Sequence, residues 1–194
     1  MSRIIAGAAG GHPLKSVPGD ATRPTTDRVK EALFSRLDSW DILAGARVLD
    51  LFAGSGSLGI ETASRGARQV VLVEKAPKAV SVCQQNASLV NKVLKANTVT
   101  VQRGNVDSVL DGYYNANSGV PSQTFDIVLL DPPYPLTEEE LAVTLEKISR
   151  ILAEDATVIV ERSGRSPEPT WPSTMEKFAD KKYGETHLWF AEPI

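Results

Sequence analysis

The chain has one cysteine, Cys83, and two histidines, His12 and His187, among 194 residues. A single thiol excludes an internal disulfide and a cysteine-rich metal site, and two imidazoles make a histidine-built centre a poor prospect. No metal is expected. Long apolar runs are missing as well: none approaches membrane-spanning length, and the amino terminus lacks the basic stretch and apolar segment of an export signal. The expectation is a soluble, cytoplasmic, monomeric protein without a membrane partner. There is no internal repeat and no low-complexity tract.

An excess of positive charge is also lacking. The 21 Lys and Arg residues stand against 24 Asp and Glu, a net charge of −3. The distribution is uneven, however. Residues 1–36 hold Arg3, Lys15, Arg23, Arg28, Lys30 and Arg36 against Asp20, Asp27 and Glu31, so they carry +3 and the rest carries −6. A basic arm on an acidic body can still dock on phosphates, because the local patch decides.

What is present is alternation. After a glycine-rich start (Gly7, Gly10, Gly11, Gly19) that reads as a small hairpin or arm, Val29, Leu33 and Leu37 recur at spacing four behind a Thr cap, predicting an amphipathic helix from Thr25 to about Leu37. Strands are then predicted at 47–52, 69–74, 99–101, 125–131 and 156–161, with helices at 57–65, 77–90 and 138–152 between them. Residues 112–123 read as a loop. Met175 to Tyr183 and Thr186 to Phe190, turning at Gly184, read as a closing hairpin that adds an antiparallel strand. The pattern predicts an α/β fold with a doubly wound, mostly parallel sheet, in a chain of one-domain length with a small appendage.

Two strand ends carry chemistry. In Val48-Leu49-Asp50-Leu51-Phe52-Ala53-Gly54-Ser55-Gly56-Ser57-Leu58-Gly59 a glycine turn joins a strand to a helix. Such a turn can hold a pyrophosphate on the helix amino terminus, as in dinucleotide oxidoreductases. A carboxylate at Asp50 would repel a pyrophosphate, and suits instead a cationic ligand bearing an ammonium and a sulfonium, as S-adenosylmethionine does. Glu74, ending the next strand, could accept from ribose hydroxyls in either case. The run Phe125 to Leu130 ends in Asp131-Pro132-Pro133-Tyr134. Proline cannot continue a ladder, so a carboxylate, a carbonyl and a ring are held at the carboxyl end of a strand, where open α/β sheets bind ligands. Two acceptors and a ring face suit a planar base with an exocyclic amino group.

Taken together, the glycine turn, the following acidic residue and Asp131-Pro132-Pro133-Tyr134 resemble the amino-methylating class I S-adenosylmethionine-dependent methyltransferases. More narrowly, Thr22-Arg23-Pro24-Thr25-Thr26-Asp27-Arg28-Val29-Lys30-Glu31-Ala32-Leu33-Phe34, the glycine turn and Tyr183-Gly184-Glu185-Thr186 are similar to the RsmD-type 16S ribosomal RNA guanine-N2 methyltransferases. The resemblance spans essentially the whole chain. It implies a Rossmann-like seven-stranded sheet with an amino-terminal hairpin and helix extension, residues 1–40 docking RNA and packing on a methyltransferase domain of residues 41–194. It further implies methylation of one guanine N2, with 16S ribosomal RNA or the small ribosomal subunit as partner. Cofactor contacts would come from Asp50, Phe52, Gly54, Gly56, Glu74, Asn105 and Asp131. RNA contacts would come from Arg3, Lys15, Arg23 and Tyr134. The class often places an Asp after the third strand to meet the adenine amino group; here Asn105 or Asp107 stands nearest, and either could be a helix cap.

On that reading Asp131 and the Pro132 carbonyl accept the two N–H bonds of the target amino group and aim its lone pair at the methyl carbon, while Tyr134 stacks on a flipped base. Asp131, Pro132 and Tyr134 are thus the catalytic candidates. A DNA adenine or cytosine amino-methyltransferase shares this arrangement, though no separate target-recognition domain is visible. A non-catalytic RNA-binding assembly factor and a nicotinamide oxidoreductase complete the alternatives.

Overall fold

A computed structural model describes residues 2–19 and 26–194. Arg23, with Thr22, Pro24 and Thr25, lies outside the described residues. The arm is a two-stranded hairpin, β1 (Ser2–Arg3) and β2 (Pro13–Leu14), followed by helix α1 (Asp27–Ser39). Thr26 caps α1, its hydroxyl accepting from the Val29 N–H at 3.3 Å. Val29, Leu33, Phe34 and Leu37 form the buried stripe of α1, each contributing about 1.5–3 kcal/mol by leaving water.

The alternating part runs β3 (Arg47–Leu51), α2 (Ser57–Ser64), β4 (Gln69–Glu74), α3 (Pro77–Leu94), β5 (Val99–Arg103), α4 (Val106–Tyr113), β6 (Tyr114–Asn115), β7 (Val120–Pro121), β8 (Phe125–Leu130), α5 (Glu138–Ser149) and β9 (Leu152–Ser163). It closes with the hairpin β10 (Met175–Tyr183) and β11 (Thr186–Pro193). Seven strands form one sheet in the order β10-β11-β9-β8-β3-β4-β5, in which β11 runs opposite to the other six. The expected doubly wound sheet with an antiparallel closing strand is therefore present. The segment read as a loop between 112 and 123 holds the end of α4 and the short β6–β7 hairpin, and α4 itself had only its cap visible in the sequence.

Alternate residues of each strand feed the two layers. Val48, Leu72, Ile127, Leu129 and Phe190 face α1, α2, α3 and the arm, while Leu49, Leu51, Val128, Leu130 and Val160 face α4 and α5. Arg47 fastens the amino ends of β3 and β8: its backbone N–H, Nε and Nη2 all donate to Asp126, at 2.8, 3.0 and 3.1 Å. The arm is part of the first layer, with Ile4, Ala9 and Leu14 at most 2% exposed. Edge strand β10 has a register shift between Lys177 and Ala179 and exposes Lys177, Lys181 and Lys182.

Candidate active site

The strand order turns back between β3, which continues to β4, and β8, which continues to β9. At such a switch point two loops leave in opposite directions and open a crevice at the carboxyl ends of the strands. Leu51 pairs with Leu130 on one side and with Val73 on the other. Phe52, Asp131 and Glu74 therefore follow side by side, and the glycine turn and Asp131-Pro132-Pro133-Tyr134 flank one crevice.

The turn is over-determined. Phe52 (φ 59°), Gly54 (φ 60°) and Gly56 (φ 85°) all adopt left-handed backbone, and the Ala53 N–H reaches the Val73 carbonyl at 2.9 Å. A Cβ on Gly59, in the first turn of α2, would collide with the Leu72 side chain and press on the Asp50 carboxylate, so close helix–strand approach favours glycine here. Glu74 holds the turn from outside: Oε1 accepts from the Gly54 N–H at 3.0 Å and Oε2 from the Lys75 and Ala76 N–H groups at 2.9 and 2.8 Å. From α3, the Cys83 thiol donates to the Gly54 carbonyl and the Asn86 amide to the Ser55 carbonyl, both at 2.9 Å. Burial raises the pKa of Cys83, so its thiol stays protonated and acts as a donor, not a nucleophile.

Asp50 corrects the expectation drawn from its position. Its carboxylate does not open into the crevice; it is 2% exposed and lies behind the turn, where Oδ2 accepts from the Gly59 N–H at 2.9 Å. The physical reason is strand parity: Asp50 points to the same face as Val48, against α2, and satisfies an orphan donor of the first helical turn. Burial raises its pKa to about 7; the Gly59 hydrogen bond opposes the rise, and Glu74 and Glu161 add to it. Glu161, near the end of β9, was not singled out in the sequence.

On the other wall Pro132 is buried, Asp131 half-buried, and Tyr134 61% exposed. The loop behind them is tied down. The Leu136 N–H reaches the Pro133 carbonyl at 3.0 Å, and buried Arg162 of β9 donates through Nη2 to the Leu136 carbonyl at 3.2 Å and to Glu138 at 2.7 Å. Thr137 and Glu140 then form a capping box at the start of α5. Beyond β5, Asn105 is exposed and caps α4, its Oδ1 accepting from the Asp107 and Ser108 N–H groups. Asp107 is half-buried and accepts from the Thr144 hydroxyl at 2.8 Å.

The arm residues separate by exposure. Arg3 and Lys15 are exposed. Lys30, counted with the basic arm in the sequence, is fully buried: its ammonium donates to the Arg3 carbonyl at 3.0 Å and pairs with buried Glu61 at 3.4 Å. Glu61 also accepts from the Ile5 and Ala6 N–H groups and from Arg65. Lys30 is thus withdrawn from any phosphate. The sequence reading missed Asn86, Cys83, Glu61, Glu161 and Arg162. Asn86 had a signal, a polar residue on the apolar stripe Ala79, Val82, Cys83, Val90 of α3.

The model of the family described as "Conserved hypothetical protein 95" matches residues 2–192. Ribosomal RNA small subunit methyltransferase D of Escherichia coli is 35% identical over 183 residues, covering 94% of this chain and 85% of its own length. The solved structure of yhhF from Escherichia coli matches with a TM-score of 0.80 at 30% identity, over 98% of this chain and 97% of that one. Magnesium protoporphyrin IX methyltransferase of Synechocystis, solved with bound SAM, shares the fold with a TM-score of 0.62 at 16% identity, over 88% and 86% of the two chains.

Proposed function

The chain belongs to the Conserved hypothetical protein 95 family, and from that premise we propose that it transfers a methyl group from S-adenosylmethionine to the exocyclic N2 of a guanine in 16S ribosomal RNA. The observation that carries the reading is the register: Leu51 opposite Leu130 sets the glycine turn beside Asp131-Pro132 at the switch point. Cofactor site and acceptor site then share one crevice, as in-line displacement requires.

The residues around the turn fit the proposed cofactor. Burial does most to raise the proton affinity of Asp50, and Glu74 and Glu161 lie close enough to add to it; their negative field disfavours a pyrophosphate and favours a cation. When bound, S-adenosylmethionine supplies an activated methyl group on a sulfonium. Phe52, Gly54 and Gly56 shape the turn against it, Glu74 offers its remaining lone pairs to ribose hydroxyls, and Asp50 acts through Gly59 and the local field. Asn105 and Asp107 are both placed for the adenine edge: Asn105 caps α4 through Oδ1, and Asp107 accepts from Thr144 through Oδ1 alone.

Asp131 and the Pro132 carbonyl hold the two N–H bonds of the target nitrogen, which rotates its lone pair out of conjugation. Asp131 receives the proton released on transfer, a role worth about 10²–10⁴-fold where it operates. The exposed ring of Tyr134 stacks on the flipped base, contributing on the order of 1–3 kcal/mol. Arg3 and Lys15 meet the phosphates. Incubation with labelled S-adenosylmethionine and 16S ribosomal RNA, small subunits or duplex DNA, followed by nucleoside mass spectrometry, tests this. N2-methylguanosine is the expected product, lost in Asp131→Ala with cofactor affinity kept. Methylated adenine or cytosine in DNA, or RNA binding without transfer, would assign the alternatives instead.

A further inference from the structure

The arm and the cofactor turn meet on one buried side chain. Asn86 is 1% exposed. Its Oδ1 accepts from the Lys15 N–H at 2.9 Å, and its Nδ2 donates to the Lys15 carbonyl at 3.0 Å and to the Ser55 carbonyl at 2.9 Å. Both hydrogens of the amide are therefore consumed, one on the arm and one on the glycine turn. Lys15 exposes its side chain to solvent while Asn86 fixes both of its backbone groups. The arm has a second, separate anchorage, in which Ile5 and Ala6 donate to Glu61, and Ala8 and Ala9 to Ser64. Asn86 is not needed merely to keep the arm attached.

We propose that Asn86 is a positioning residue that makes RNA binding at the arm and cofactor binding in the turn reinforce one another. This rests on the RNA methyl-transfer reading. If the Lys15 backbone moves, the amide must follow it or leave a buried polar group unpaired, which is costly. If the amide moves, the Ser55 carbonyl loses its donor, and the turn that receives the cofactor loosens. A phosphate held by the Lys15 ammonium steadies this chain of hydrogen bonds from the outside. A cofactor seated against the turn steadies it from the inside. Linkage then makes the effect reciprocal: each ligand tightens the other by the same factor.

The test is a calorimetric cycle on the full chain, with S-adenosylmethionine titrated in the absence and in the presence of saturating 16S ribosomal RNA transcript. RNA should tighten cofactor binding in the wild type about fivefold or more. In Asn86→Ala the factor should fall to near one, with both ligands still bound. Asn86→Asp keeps the acceptor for the Lys15 N–H but loses both donors, and should behave alike. A merely structural role would lower the melting temperature of these variants and leave the factor intact. Should neither variant fold, hydrogen exchange on the wild type decides: RNA alone should slow exchange across residues 53–57. An unchanged factor in a folded variant, RNA without effect on those amides, or independent binding in the wild type overturns the coupling alone. A wild type that binds no S-adenosylmethionine overturns the reading beneath it as well.

Discussion

Asp50 illustrates how one buried carboxylate makes the fold answer to pH. Burial holds its folded pKa near 7 against the ordinary 3.8, so the folded protein retains a proton there that the unfolded chain has released. Between those values stability falls as pH rises, and above about 7 the full burden of the buried charge is present. Asn at this position keeps an acceptor for the Gly59 N–H and removes the charge. Asp50→Asn should raise the melting temperature at pH 8, by on the order of 2–4 kcal/mol of stability, and have little effect near pH 4. On the proposed function, wild-type affinity for S-adenosylmethionine should increase as pH passes from 6 to 8, because a cationic ligand favours the ionised carboxylate. The Asn variant should bind more weakly and without that slope; calorimetry at three pH values checks both. The sequence marked Asp50 as important but not its direction, because parity along β3 only acquires meaning once α2 is known to lie on that face.

Among the elements, α2 does the joining. Its first turn meets Asp50 and Leu72 through Gly59, and its last turns hold the arm through Glu61 and Ser64. Gly59→Ala should push α2 off β4 and destabilise by about 1–3 kcal/mol, read by thermal melting, while Gly112→Ala, with nothing near its added methyl, should not. Glu61→Gln should cost more, about 3–5 kcal/mol, since it strands Lys30 in the interior. Elements with strong periodicity were legible from the sequence, the apolar run of β8 to within a residue and the stripe of α1 to within two at each end. The eight-residue α4 and the β6–β7 hairpin were not, being too short for a period to register among Asn, Ser and Gly. Lys30 and Glu61 were illegible for another reason. Each sits on an amphipathic helix where a charge reads as solvated, and their partnership is made only when the arm folds across both.

At the level of the whole molecule, the arm, expected to pack on the main domain, is built into its core through Ile4, Ala9 and Leu14. Deleting it would uncover that layer, so its charge is better tested by substitution. Arg3→Ala with Lys15→Ala should weaken RNA binding and flatten the log–log dependence on salt by about 0.7–0.9 for each phosphate no longer neutralised. Melting temperature should hardly change, because both side chains are exposed. Equal slopes across a salt series would place the docking surface elsewhere. The sequence showed where this positive charge lies; it could not show that Lys30 is paired internally.

Strand β10 has a consequence for behaviour in a crowded solution. An outermost strand offers a row of unpaired amides and carbonyls to any passing chain, and one this long is a standing invitation to stack sheet upon sheet. The irregularity between Lys177 and Ala179 breaks the straight register that a visiting strand needs, and the exposed charges of Lys177, Lys181 and Lys182 would have to shed water when two such edges approach. The antiparallel closing hairpin thereby acts as a selvage: it ends the weave so that the sheet does not grow from one molecule into the next.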